Sequence, residues 1–206
     1  MANAMKTTSD RSQEYFLRTL AQTTKIVSEI RPDQWQNATP CAEWDLRALV
    51  NHITGENHWL AAVFSGETVA GVGDRFDGDL VGDNPIQAYL ASIELAKASI
   101  TPEMLEAHHG VSFGDISGHD YVSQLFMDQL VHSWDAMMGS RQTVELDDEL
   151  TAAAIPVAKE MVAYVGQGSV FGNTLDLGAT AVDLAALVGE IGRSLAWQPP
   201  EGVAFK

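Results

Sequence analysis

The chain has almost no cysteine. Of its 206 residues only Cys41 carries a thiol, which excludes an internal disulfide and any cysteine-rich metal site, so a metal centre here must use mainly nitrogen and oxygen ligands. Positive charge is scarce too: 12 Lys and Arg stand against 28 Asp and Glu, a net charge of −16. Such a surface repels phosphate backbones and anionic headgroups, so neither nucleic acid nor a membrane is an expected partner. No window approaches the ~18 consecutive apolar residues of a membrane span, and the stretch MANAMKTTSDRSQEYF lacks the apolar run of a secretory leader. The expectation is a soluble, cytoplasmic protein. Strand-like runs are few, and no repeat or low-complexity tract is visible. What is present is 46% hydrophobic sequence, enough for one domain, 1–206, with a sizeable core.

Apolar spacing predicts helices joined by loops. Tyr15, Phe16, Leu20, Ile26, Val27 and Ile30 mark a first helix over 10–30, with Ser9 or Asp10 as cap and Arg31-Pro32 as stop. The segment PDQWQNATPCAEW reads as a loop pinned by Trp35 and Trp44, with Cys41 a small half-buried residue in it. Asp45 is placed to cap a second helix whose core stripe is Leu46, Leu49, Val50, Ile53, Leu60 and Phe64. Residues 65–85, with five glycines and five acidic residues, form a long loop suited to a lid or wall beside a cleft. Its DRFDGD run lacks the ligand alternation and distal glutamate of an EF-hand, so calcium is set aside. A helix over 84–100 ends before Thr101-Pro102, and HHGVSFGDISG reads as a hairpin-like excursion whose His108 and His109 are exposed. Two amphipathic stretches complete the chain, DDELTAAAIPVAKEMVAYV, interrupted at Pro156, and ATAVDLAALVGEIGRSLAW, linked by the glycine-rich GQGSVFGNTLDLG. The class is all-α, and a bundle buries these stripes.

The stretch GHDYVSQLFMDQLVHSWDAMMG is apolar almost all round yet carries Asp128, His132 and Asp135. Asp128 and His132 stand four apart, which puts a carboxylate and an imidazole on one helix face within reach of one divalent cation. The band they belong to is either this face or the helix's solvent side. A third ligand must come from elsewhere, and His52 is the candidate. It shares a shoulder of the second helix with Glu56 and Trp59, beside the core stripe, where the residues line a cleft or form a partly solvated edge. His58 points to another face and reads as surface. A His/Asp/His set leaves positions open for water or substrate, and zinc suits it first, with nickel, iron or manganese as replacements. Both histidines must be neutral to ligate, so affinity is expected to fall as pH drops through roughly 6.5.

The runs TPCAEWDLRALVNHITGENHWLAAVFSGE, GDRFDGDLVGDNP and DQLVHSWDAMMG resemble the DinB-like superfamily, specifically the actinobacterial metal-binding branch related to the N-terminal domain of mycothiol-dependent maleylpyruvate isomerase. The resemblance spans nearly the whole chain. It implies a four-helix bundle in up-up-down-down order, here with extra C-terminal helices, and a metal held by a helix-two histidine and a pair four apart on a later helix. His52 matches the first ligand and His132 the last. Asp128 stands where relatives have histidine or glutamate; it keeps an oxygen ligand but, against glutamate, loses one methylene of reach. The isomerase's second domain has no room after Gly139, so isomerase activity as such does not carry over.

The resemblance further implies chemistry with an external low-molecular-weight thiol, mycothiol or bacillithiol, in transfer or isomerisation. A thiol reaction would have to import its thiol, since Cys41 is the only one in the chain. Glu56, one turn after His52, is the best-placed general base or a group that supports the ligands from behind, and Asp135 either orients His132 or pairs with Arg47. The alternatives are a metal or small-molecule binder without turnover, a hydrolase using metal-activated water, and a bundle with an empty site. The expected partner is a small-molecule substrate or thiol, with a homodimer left open.

Overall fold

The computed structural model describes residues 10–143, 145–166, 171–175, 183–201 and 205–206. Four helices form the body: α1 (Ser12–Ser28), α2 (Leu46–Phe64), α4 (Pro85–Ser99) and α6 (Gly118–Ser140). Between them lie the single turn α3 (Val69–Val72), the short α5 (Pro102–Glu106) and an antiparallel hairpin, β1 (His108–Val111) with β2 (Gly114–Ser117). Helices α7 (Asp148–Val165) and α8 (Leu184–Glu190) follow.

Local chemistry explains where the helices begin. Asp45 caps α2 by accepting from the Ala48 amide at 2.8 Å, Asn84 and Thr101 cap α4 and α5 with Pro85 and Pro102 behind them, and Ser117 caps α6. For α1 the neighbouring residue, Arg11, makes no side-chain cap, and Ser9 lies outside the described residues. The 65–85 stretch is a loop as expected apart from α3, which Thr68 caps. Pro156 does not interrupt α7. Its missing N–H costs one hydrogen bond, but Ala154, Ile155, Val157 and Ala158 around it are buried and hold the helix by packing. Of the last predicted helix, 179–197, the described part is helical only over Leu184–Glu190 and turns at Gly192, φ +78°. Residues 179–182 and most of the 166–178 link lie outside the described residues.

The direction of each helix follows from its contacts. Ser12 meets His119 at 2.9 Å, Tyr15 meets the Phe126 ring at 5.4 Å, and Gln142 donates to the Ile26 carbonyl at 2.8 Å, so α1 and α6 run parallel. Phe64 lies against Tyr121, and Leu46 lies against Gly139; α2 therefore runs opposite to α6. Arg47 and Asn51 tie residues 78–82 back to the start of α2, so α4 sets off beside that end and runs parallel to α2. Asn57 and Ser92 join the pair at 3.0 Å. The all-α bundle is as expected, but its order is up-down-down-up, not the implied up-up-down-down, because the anchored crossover delivers α4 to the end where α2 begins.

The core sits among these helices. Phe16, Leu20 and Ile26 of α1, Leu49, Ile53 and Leu60 of α2, Tyr89 and Ile93 of α4, and Phe126, Leu130 and Trp134 of α6 are all at most 2% exposed. Helix α6 is the axis. Its start is pressed so closely on α5 that a Cβ on Gly118 would stand 2.0 Å from the Met104 carbonyl oxygen, so only glycine fits there. The band carrying Asp128, His132 and Asp135 is not a solvent face: His132 is 5% exposed and Asp135 0%.

Candidate metal centre

Helix α2 turns His52 and Glu56 toward α6, and α6 turns Asp128 and His132 back. His52 Nε2 lies 3.2 Å from one Asp128 oxygen and His132 Nε2 lies 3.4 Å from the other. One donor atom from each of the three residues falls within 4.8 Å of the others. Ligands held tetrahedrally ~2.0–2.2 Å from zinc would stand about 3.3–3.6 Å apart, so this donor set fits a divalent ion with little movement. It is also the group of three the spacing picks out.

A second layer fixes these side chains. His132 Nδ1 is 3.0 Å from Asp135 Oδ2, which leaves Nε2 to face the cluster. Asp135 is held in turn by Arg193 Nε at 2.9 and 3.0 Å. The open question of Asp135's partner is thus answered twice: it orients His132, and its cation is Arg193, whereas Arg47 pairs with Asp79. Trp44 stacks on His52 with ring centres 4.4 Å apart and tilts against His132 at 5.4 Å.

Sequence reasoning missed Arg193 and read Trp44 only as a loop anchor. A cation in a chain that has so few was the one available signal for Arg193; nothing pointed to Trp44. The remaining histidines take no part. His58 stacks on Phe76 and is part-buried rather than surface. His108 is exposed, but His109 is not: its Nε2 meets the Met104 carbonyl at 2.7 Å and its ring lies on Phe64.

Burial alone would lower the His132 imidazole, but the Asp128 and Asp135 carboxylates outweigh it and lift it to about 9. For Asp128, burial works toward the neutral acid, yet His132 and His52 hold the carboxyl well below the usual range. Glu56 is pushed up to about 7 by burial and then by the Asp128 charge. Burial raises the Cys41 thiol to about 11, which leaves it inert at neutral pH.

Beside His52 and Glu56 opens a cavity of about 680 Å³. The 65–85 loop is one wall of it, contributing Phe76, Gly78 and Leu80, and it is pinned rather than loose: Asn51 bonds both the Gly78 carbonyl and the Leu80 amide. Asp79, in the DRFDGD run, is engaged by Arg47.

An inward-facing His/Asp/His cluster on antiparallel helices of an all-α bundle, with a capped crossover for a wall, defines a DinB-like domain. The chain belongs to the mycothiol maleylpyruvate isomerase N-terminal domain family, whose sequence model matches residues 16–137. Two uncharacterized proteins of Mycobacterium tuberculosis, one from strain CDC 1551 / Oshkosh and one from strain H37Rv, are each 26% identical over 160 residues, covering 72% of this chain and 79% of their own length. No solved structure matches the chain. Arg193 lies outside the matched family region. No helix among the described residues is long and apolar enough to cross a membrane.

Proposed function

We propose that this protein holds one divalent cation between His52, Asp128 and His132 and uses it, with an external low-molecular-weight thiol, on a small molecule bound in the adjoining cavity. The observation that carries the reading is the convergence of three donor atoms within 4.8 Å from two antiparallel helices. Zinc is the first choice for two imidazoles and a carboxylate, with nickel, iron or manganese able to take its place. The whole chain acts as one domain in this reading, since Arg193 in the C-terminal part supports the ligand His132 through Asp135.

A divalent cation in such a site supplies a Lewis acid that lowers the pKa of a thiol or water beside it. The chain supplies the rest. Asp135 keeps the His132 proton on Nδ1 and the ring in place. Trp44 covers His52 and excludes water from one side. Glu56, one turn after His52 and lining the cavity, accepts a proton from the incoming thiol and returns it to product. Cys41 does not compete, being protonated and half-buried.

The thiol part has a direct test. Cobalt-loaded protein is expected to gain sulfur-to-metal charge-transfer absorption on addition of mycothiol; an unchanged spectrum at about millimolar thiol, with cobalt still bound, would discard it and favour hydrolysis or plain binding.

Proton release tests the ligand set. His132 carries its proton at pH 7 in the metal-free protein, because its value is raised to about 9, and it must lose that proton to ligate. Affinity is therefore expected to rise about tenfold per pH unit from roughly pH 6.5 and to flatten near pH 9, with about one proton released per metal from His132. Calorimetry in buffers of different ionisation enthalpy measures it, and a flat affinity over that window would remove His132 from the site. The turning point stands above the ordinary histidine range because Asp128 and Asp135 both favour the imidazolium.

A further inference from the structure

Where the hairpin meets α6 and α7 there is a small cavity of about 170 Å³ that shares no lining residue with the His52 cavity. Ile116 of β2 and Val157 and Met161 of α7 give it apolar walls. Tyr164 bridges α7 to the hairpin by donating its hydroxyl to the Phe113 carbonyl at 2.7 Å, and the two rings meet edge to face. Against these walls stand polar groups of α6. Ser123 is 3% exposed, yet its Oγ has no hydrogen-bond partner among the described residues, and neither has the buried Oε1 of Gln124. A buried helical serine ordinarily donates to the carbonyl one turn back, as Ser133 and Ser140 do on this same helix at 2.7 and 2.6 Å. Ser123 makes no such bond and lines the cavity instead. Groups buried and unpaired in this way are costly to the fold, which a ligand that pairs them would relieve.

We propose that this cavity binds a small primary amine, whose ammonium donates to Ser123 Oγ, Gln124 Oε1 and the carboxylates of Asp120 and Glu160, and whose hydrocarbon part lies among Ile116, Val157 and Met161. The lining selects both charge and donor character. Its remaining polar members are two acids, Asp120 of α6 and Glu160 of α7, and no Lys, Arg or His accompanies them. Asp120 accepts from the Ser117 hydroxyl at 2.7 Å, which leaves its negative charge uncancelled. Burial and then that charge raise the Glu160 carboxyl above its ordinary value, as expected of two acids that feel each other with no cation between them. An anion would meet both carboxylates without a counter-charge, and a ligand that only accepts would leave Gln124 Oε1 unpaired. An ammonium brings three N–H donors and the missing positive charge at once. The volume lies below that of sites for drug-sized ligands, which limits the amine to a single ring or a short chain. The assignment does not rest on the metal centre.

The full-length protein is titrated with benzylamine by ligand-observed NMR, and in parallel with benzyl alcohol, which is neutral, benzoate, which is an anion, and benzyltrimethylammonium, which keeps the positive charge but has no N–H. Benzylamine is expected to bind at least about tenfold more tightly than any of the three, the worth of one charge-assisted hydrogen bond. Ser123→Ala should lose about fivefold in affinity while the ligand-free protein is no less stable than the wild type, since the change removes an unpaired hydroxyl. Glu160→Gln, at an exposed carboxylate, should lose about threefold. Met161→Trp, which fills the cavity from α7, should abolish binding with circular dichroism unchanged. Equal affinity for benzylamine and either benzyl alcohol or benzyltrimethylammonium overturns the proposal, the second because it would show only the attraction of an acidic protein for any cation. Undiminished binding in Ser123→Ala overturns it as well, whether or not Met161→Trp folds. So does binding that persists in folded Met161→Trp, which would place the amine elsewhere, on the His52 cluster or at surface acids.

Discussion

Replacing His132 with alanine is expected to abolish stoichiometric zinc binding while leaving the helical content unchanged. The imidazole is 5% exposed and meets Asp128 through one nitrogen and Asp135 through the other. Without it two ligands remain, His52 and Asp128, and two rarely hold a divalent ion. The helix survives because Phe126, Leu130 and Trp134, on other faces of α6, do most of its packing, and alanine is the strongest helix former. Zinc content after dialysis, read beside far-ultraviolet circular dichroism, checks both halves. Full stoichiometry in the variant would mean that the three donors are a hydrogen-bonded cluster and not a metal centre.

Asp135→Ala should damage stability and metal binding together. Asp135 is fully buried, and Arg193, whose side chain is 9% exposed, has it as its ion-pair partner. Taking away one member of a buried pair leaves the other charge unpaired, which costs about 3–5 kcal/mol. That is a large part of a typical domain's stability, and urea unfolding will report it as a lower midpoint. The same carboxylate fixes His132 by its Nδ1, and losing such a supporting group typically weakens a metal about 10–100-fold. Competition against a zinc chelator, corrected for the folded fraction, measures the second effect. Destabilisation with undiminished affinity would make Asp135 a structural residue alone. Arg193→Lys is expected to retain more of both properties than Arg193→Ala, since an ammonium keeps the charge but not the guanidinium geometry.

Much of the bundle was legible from spacing. Apolar stripes located α1, α2 and α4, and Asp45 was found as the cap of α2 because the residue type and its position before the stripe leave little choice. The hairpin after Ala107 was legible from its alternation and glycines. Pro156 misled, because a local rule about a missing N–H does not know that both neighbours are buried against another helix. The up-down-down-up order was not legible either, since it depends on where Arg47 and Asn51 anchor a loop about thirty residues downstream.

The three clustered side chains divide in the same way. The sequence alone determined that Asp128 and His132 share a face, because an α-helix repeats every 3.6 residues, and that His52 and Glu56 share another. Only the tertiary structure decided that those two faces meet, that Trp44 lies over His52, and that Arg193 reaches Asp135 from 58 residues away. Helical periodicity is a property of the local backbone and is written in any dozen residues. Which faces touch is settled by the whole set of apolar stripes seeking burial at once, together with loops whose anchors are distant in sequence, and no short window contains that information.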